Sequence, residues 1–456
     1  MNLIPDFIHR RVAHRPNLLK IFDNIGWLFF DKILRIGVGL VVGVWIARYL
    51  GPEQFGQFNF AAAFVGLFGA IAGLGLQGIV VRDIVRDPAC KEETLGTAAV
   101  LQFIGGLLTY GLILGTIFWL RPDDALAKTL VAILGSTMLF KASQVAIYWF
   151  ESQVLSKYIV WVQNGTVLVF AAIKVVLILN NAPLTSFAWA IMAEALIVAL
   201  LMLVLLGLRG PKLRQLRFTL SRSKELLADS WPLLLSGIAI MIYMKIDQIM
   251  LGQMVGDEAV GIYSAAVRIS EVWYFVPMGL VASVFPTILR AREVNYQAYI
   301  GKIQLLYDGL VLFSFSVALT MSFLGEWLVH ILFGSDYSAS ADILVVHTWT
   351  GVFVAMGVAR GRWLIAENLQ HFSHWYILAG MIVNIVGNYL LIPIYEGVGA
   401  GVAALFAQIT ATIIVPYVIR ETRVSSIMLV SALHPYQWFI FVRKAHSELY
   451  RDAGTP

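Results

Sequence analysis

The chain has 456 residues, of which 59% are hydrophobic and 13% charged, with a formal net charge of +5; an ordinary soluble domain carries about 25% charged residues. With a mean hydropathy of +0.78, that composition excludes a soluble globular enzyme and leaves lipid as the solvent for most of the chain. The single cysteine, Cys90, excludes an internal disulfide framework and a cysteine-rich metal site. The basic residues gather at the ends of apolar runs rather than on one soluble face, which argues against a nucleic-acid partner.

Residues 1–20 are polar and basic. The apolar run that follows lacks a small-residue cleavage site and is too long for a signal-peptide core, so it is expected to stay as the first span. In chain order the spans are expected at 26–47, 58–80, 96–119, 129–150, 158–180, 184–208, 231–253, 260–286, 309–332, 341–365, 374–395 and 398–419. Each is long enough to cross a hydrocarbon core of roughly 30 Å as a helix. Helix is the required form, because an open chain in hydrocarbon must satisfy its own backbone groups. The fold class is therefore an all-α polytopic membrane protein of about twelve transmembrane helices.

The loops set the orientation. Of the 33 lysines and arginines, only Arg48, Arg121 and Lys128 fall outside the spans on the side opposite the N-terminus. By the positive-inside rule both termini face the cytoplasm, and the protein belongs in the cytoplasmic (inner) membrane. The longest inner loop divides the chain into an N-terminal six-helix lobe (1–208), a basic cytoplasmic linker (209–230), a C-terminal six-helix lobe (231–420) and a tail (421–456). Within the tail, Ser425 to Phe441 is apolar but interrupted by His434, Pro435 and Gln437, and is expected to lie in the membrane interface. No loop is long enough to hide a soluble catalytic domain.

The two lobes carry a repeat. Leu50-Gly51-Pro52-Glu53-Gln54-Phe55-Gly56 aligns with Val255-Gly256-Asp257-Glu258-Ala259-Val260-Gly261, each copy joining the first and second spans of its half. With six spans per half, the copies share an orientation and are related by an axis along the membrane normal. The pattern predicts two pseudo-symmetric lobes around a central cavity.

Charges inside the spans point to what that cavity holds. Lys32, Arg35, Lys141, Lys174, Lys245, Arg268, Arg360 and Arg362 fall in the spans, with Asp31, Glu194, Asp247, Glu271 and Glu326. An intramembrane charge costs about 2.5–3.5 kcal/mol, so eight in lipid would cost on the order of 20 kcal/mol, more than a typical net stability of about 5–15 kcal/mol. Arg360, Arg362 and in part Lys174 lie near helix ends and are expected to snorkel. The others are expected to pair or to face water. Asp31 with Arg35 and Arg268 with Glu271 have helix-face spacing, which fits packing ion pairs as well as a binding site. Lys32, Lys141 and Lys245 have no such partner, and the surplus is positive. A cationic cavity formed by Lys32, Arg35, Lys141, Lys245 and Arg268 suits an anionic cargo, phosphate above all. Asp31, Asp247 and Glu271 are candidates for charge pairing or coupling. Gly69 and Gly73 are expected at close helix contacts and Pro232 and Pro277 at kinks. Trp45, Tyr49, Trp119, Trp149 and Trp189 are expected mainly as interfacial anchors. His371 and His374 lack the further ligands a metal site needs, and no cofactor is expected.

Three segments carry a family resemblance: Arg48-Tyr49-Leu50-Gly51-Pro52-Glu53-Gln54-Phe55-Gly56; Lys245-Ile246-Asp247-Gln248-Ile249-Met250-Leu251-Gly252, running to Ala266; and Asn384-Ile385-Val386-Gly387-Asn388-Tyr389-Leu390-Leu391-Ile392-Pro393, continuing to Ala400. Together with the span pattern they resemble the polysaccharide and O-antigen-type flippases of the multidrug/oligosaccharidyl-lipid/polysaccharide exporter superfamily, over nearly the whole chain to about Arg423. The resemblance implies a transporter, not an enzyme, that moves polyprenyl-diphosphate-linked oligosaccharide to the outer leaflet through a cationic lumen between two six-helix lobes. It places Lys245 and Asp247 in the family's charged motif of the seventh span and Arg35 in its basic first span. The run Ala400-Gly401-Val402-Ala403 follows the family pattern only loosely. Implied partners are the lipid bilayer, the lipid-linked glycan, and polysaccharide polymerase and glycosyltransferases; the expected state is a monomer. A multidrug or cation-coupled exporter of the same fold would prefer a cavity of negative charge. A membrane-embedded glycan polymerase or ligase would be expected to hold its acceptor in a larger outer loop, and a non-transporting scaffold would leave the buried charges without purpose.

Overall fold

The structure is a computed structural model that describes residues 16–439 and 441. Among the described residues the chain is helical without a strand: α1 (Pro16–Gly73), α2 (Leu76–Arg86), α3 (Lys91–Leu120), α4 (Ala125–Gly135), α5 (Gln144–Ser152), α6 (Ser156–Leu179), α7 (Leu184–Arg209), α8 (Leu220–Met254), α9 (Asp257–Glu271), α10 (Phe275–Val294), α11 (Tyr296–Phe333), α12 (Ser340–Ala366), α13 (Ser373–Ile409), α14 (Val415–Val418) and α15 (Arg423–Ala432). These form 10 continuous segments long and apolar enough to cross a bilayer, and two of them are double. As a single straight helix, the 58 residues of α1 would run about 87 Å, nearly three bilayer cores. Non-helical backbone at Gly51 splits it, and Glu396 splits α13 in the same way. Twelve spans result, and the protein is a multi-pass membrane protein.

Gly51 (φ 73°, ψ 171°) and Gly256 (φ 137°, ψ 176°) hold matching places in the repeat. Both occupy the region of positive φ and extended ψ that is essentially reserved for glycine. The repeat is thus a repeated turn: a glycine that no other residue replaces without strain, followed by a helix whose first turn is acidic in the second copy, where a negative charge meets the helix dipole.

The chain forms two compact units, one ending at Ile249 and the other beginning at Met250. In the first, the buried core joins Leu76, Val80 and Ile84 of α2, Leu95 of α3, Phe150 of α5, Leu206 of α7 and Leu226 of α8. The basic segment before α8 and the first turns of α8 itself are strapped to the ends of α2 and α3. Arg217 N–H donates to the Glu92 carbonyl at 3.2 Å. Arg222 pairs with Asp83 at 2.7 Å and donates to Thr94 Oγ1 at 3.2 Å, and Arg82 bridges Asp83 and Asp229 at 2.8 and 2.5 Å. In the second unit the core joins α10, α11, α12, the start of α13 and α15 around Tyr299, Tyr307, Met356 and Trp363.

Close backbone approach occurs at other glycines than expected. A Cβ on Gly69 or Gly73 would meet nothing within 4 Å, whereas one on Gly106 would clash with the Met138 carbonyl oxygen and one on Gly96 would lie 2.5 Å from the Arg217 backbone. Gly106→Ala is therefore expected to cost about 1–3 kcal/mol through overpacking against backbone that cannot give. Gly69→Ala should be neutral or stabilising, as in an open helix interior. Thermal melting of the two variants in detergent checks the contrast.

Pro232 sits inside an unbroken α8. Pro277, by contrast, follows a 3₁₀ turn, Val272–Tyr274, that interrupts the eighth span, so only the second of these prolines accompanies a break. In the tail the helix ends at Ala432 and breaks at Leu433 and His434. One face of α15 (Ser425, Ser426, Met428, Leu429) is buried in the second unit, and the other (Val424, Ile427, Val430) is apolar and exposed. Arg443, Lys444 and Arg451 lie outside the described residues.

Candidate functional site

In the first unit, Arg35 and Asp31 stand one turn apart on α1. Arg35 Nε donates to Asp31 Oδ1 at 2.8 Å, and its Nη2 donates to Gln163 Oε1 on α6. The guanidinium is half-buried and ties the first span to the fifth. Lys32, on the same helix, is exposed. Lys174, expected to snorkel in part, instead pairs with Glu194 at 2.8 Å across α6 and α7. Sequence spacing missed this pair because its members come from different helices.

Lys141 lies in a 3₁₀ stretch, Ser136–Ser143, between α4 and α5 in the fourth span. Eight residues of 3₁₀ in mid-span exceed the usual three or four. Lys245 lies on α8 with its Cγ 3.9 Å from the position of a Gly66 Cβ, so its stem packs on the second span. Both lysines are half-buried, and among the described residues neither makes an ion pair or a side-chain hydrogen bond. Asp247, two residues beyond Lys245 and so on another face of the helix, is 6% exposed and does not pair with it.

In the second unit, Arg268 is half-buried on α9 with Glu271, which is exposed, and Tyr337 as its charged and titratable neighbours. Tyr337 belongs to the turn between α11 and α12. Burial pushes its phenol above the ordinary value, Asp336 adds to the rise, and Arg268 opposes it. Arg362 is exposed, but Arg360 does not snorkel: it is 2% exposed. Its Nη1 donates to the Thr412 carbonyl, Nε to Ser425 Oγ at 3.3 Å and Nη2 to Ser426 Oγ at 3.1 Å. Thr412 lies in a π-helical turn, Thr410–Ile414, and Tyr307 bonds to the same Ser425 at 3.0 Å. Arg360 therefore joins the end of the twelfth span to α15. No charge pattern in the sequence marks this network, since all its acceptors are neutral. A buried Ser270–His347 pair, also unforeseen, joins α9 to α12.

Chemically, the first unit offers two intramembrane ammonium groups, Lys141 and Lys245, with no counter-ion among the described residues, and one guanidinium that is partly neutralised. Such groups take an anion, and phosphate oxygens most readily. Among the described residues, no group of three or more His, Cys, Asp or Glu is placed to hold a metal.

Comparison with known proteins agrees with this architecture. The profile of the family described as "Polysaccharide biosynthesis protein" matches residues 21–292. The chain is 24% identical over 416 residues to the "Probable low-salt glycan biosynthesis flippase Agl15" of Haloferax volcanii, covering 85% of this chain and 81% of the relative. It is 20% identical over 394 residues to the "Capsular polysaccharide biosynthesis protein CapF" of Staphylococcus aureus, covering 86% and 97%. Among solved structures it resembles "Lipid II flippase MurJ, inward closed conformation" with a TM-score of 0.71 at 13% identity, over 93% of this chain and 99% of the other. An inward-facing multidrug resistance MATE family transporter matches with a TM-score of 0.64 at 15% identity, over 87% and 96%. At these identities the structural likeness establishes the fold, the two-lobe twelve-helix transporter architecture expected from the span pattern. The profile match covers more than half of the chain and carries the repeat turn and the charged seventh span, so the protein belongs to the polysaccharide biosynthesis protein family.

Proposed function

We propose that this protein is a flippase that moves a polyprenyl-diphosphate-linked, anionic oligosaccharide from the cytoplasmic to the outer leaflet of the cell membrane. The observation that carries the proposal is the pair Lys141 and Lys245, two cations inside spans with no carboxylate partner among the described residues. An unpaired charge at membrane depth is expensive and persists where function requires it; here the required counter-charge is brought by the cargo. Relatives named as a glycan biosynthesis flippase and as O-antigen transporters support the same substrate class.

In this reading the diphosphate and sugars enter between two six-helix lobes while the polyprenyl tail stays in lipid, and rocking of the lobes exposes the cargo outward. Lys32, Arg35, Lys141, Lys245 and Arg268 supply positive charge, with Asp31, Asp247 and Glu271 as pairing or coupling groups. Both termini face the cytoplasm, the working unit is a monomer, and polymerase and glycosyltransferases act before and after it. The fold is shared with multidrug exporters, but a cationic drug would be repelled by the surplus that an anionic glycan requires.

A deletion strain tests the reading. Full-length lipid-linked repeat units are expected to accumulate while surface glycan disappears, which places the block after synthesis and before export. Unchanged pools of both, with redundant transporters removed, would contradict it.

A further inference from the structure

Along the seam between α9 and α12 the two helices run parallel, joined by polar contacts two turns apart. Ser340 Oγ donates to the Ile262 carbonyl at 2.7 Å, and two turns further Ser270 Oγ and His347 Nδ1 lie 2.6 Å apart. Both partners of the second contact are buried, Ser270 at 1% exposure and His347 at 7%. Ser270 Oγ also donates to the Val267 carbonyl at 3.0 Å. Immediately beyond Ser270 and Glu271 the eighth span leaves α-helix for the 3₁₀ turn Val272–Tyr274, and Pro277 follows within the first turn of α10. A cavity of about 20 Å³ lined by Ser270, Tyr274, Pro277, Ser314 and Thr348 adjoins the break, room enough for one water.

The hydroxyl of Ser270 has one proton and two acceptors within reach. If His347 Nδ1 is unprotonated, the hydroxyl donates to the ring and the Val267 carbonyl loses it. If Nδ1 carries a proton, the ring donates to Ser270 Oγ, and the hydroxyl turns to Val267. With the neutral ring's proton on Nε2, a second proton taken up on Nδ1 therefore decides whether a side chain bonds into the last turn of α9, at the point where the span already breaks.

We propose that His347 binds a proton that sets, through Ser270, the bend of the eighth span, and that this unit-internal hinge is where a proton gradient acts on the transport cycle. The titratable and charged groups that bound the seam are Tyr263, edge-on to the imidazole at 6.2 Å between centroids, Arg268 and Glu271 on α9, Tyr274 in the 3₁₀ turn and Tyr337 in the turn before α12. At this level α11 contributes Phe313, Ser314 and Val317, α10 Pro277 and α13 Gly401, none of which titrates. The imidazole is thus the titratable group in direct hydrogen-bond contact with Ser270 at the hinge.

The proposal rests on the transport reading for its purpose, but its test needs no cargo, so the two fail separately. In a Cys90→Ser background, spin labels at Glu258→Cys and Glu293→Cys, both exposed and both in the second unit, report the distance across the break by electron–electron resonance in nanodiscs, with protons as the only ligand. The distance is expected to change with pH in a single titration. His347→Gln should abolish the change, and Ser270→Ala, which keeps the imidazole, should abolish it as well. In liposomes, stimulation of translocation by an imposed proton gradient should fall about 5- to 150-fold in either variant, the span of ordinary couplings. A distance that ignores pH in the parent protein overturns the proposal. So does a response that persists in His347→Gln, or one lost in Glu271→Gln while kept in His347→Gln, which would move the proton to the carboxylate.

Discussion

Lys245→Ala is expected to stop export of the lipid-linked glycan while leaving the protein as stable as the parent or more so. Loss of one charge-assisted contact to a phosphate costs about 1.5–3 kcal/mol, or roughly 10- to 150-fold in apparent affinity. The ammonium makes no ion pair or side-chain hydrogen bond among the described residues, so its removal breaks no such contact and relieves the cost of a charge at membrane depth. Lys141→Ala should behave in the same way, and Lys245→Arg should retain most export because it keeps the charge. Surface glycan measured beside the melting temperature checks the pattern. A fall in both together would make Lys245 a packing residue.

Arg360→Met is expected to do the opposite, destabilising the second unit strongly whatever its effect on transport. The guanidinium holds a π-turn carbonyl and two serine hydroxyls that are themselves buried. Each buried acceptor left without a donor costs about 1–3 kcal/mol, so the network is worth on the order of 3 kcal/mol or more. Arg360→Lys should rescue little, because one ammonium cannot reach three diverging acceptors as a planar fork does. Melting in detergent and faster proteolysis between α14 and α15 check this result; an unchanged protein would mean that α15 docks through its apolar contacts alone.

The contrast between these two cations shows where sequence reading succeeds. Twelve apolar runs gave twelve spans, and the observed helices mostly extend past the expected limits, as α8 does in starting at Leu220 rather than near 231, because helices continue into the interface beyond the hydrocarbon that hydropathy detects. The Asp31–Arg35 pair was legible from its spacing on one helix. Lys174–Glu194 was not, because residue spacing carries no information about which faces two helices turn toward each other. Gly51 and Gly256 were legible as a repeat, and their backbone angles supply its cause. Gly69 and Gly73 were misread because a small residue permits close approach without saying what lies opposite. Arg360 was misread for a related reason: its position near a helix end suggested the interface, but the end of the twelfth span and α15 close over it. His347 was overlooked because a lone histidine in an apolar run has no pattern until its partner on α9 is known.

The central claim, that Lys141 and Lys245, which make no ion pair among the described residues, hold the anionic head of a lipid-linked glycan, is tested most directly by translocation in liposomes. A fluorescent polyprenyl-diphosphate oligosaccharide is followed across the bilayer with the parent protein, Lys245→Gln and Lys245→Arg. The account predicts flipping by the parent and the arginine variant and a loss of about tenfold or more in the glutamine variant, with flipping of an uncharged polyprenyl glycoside slow in all three. Equal flipping of the charged and uncharged lipids, or full activity in Lys245→Gln, would contradict it.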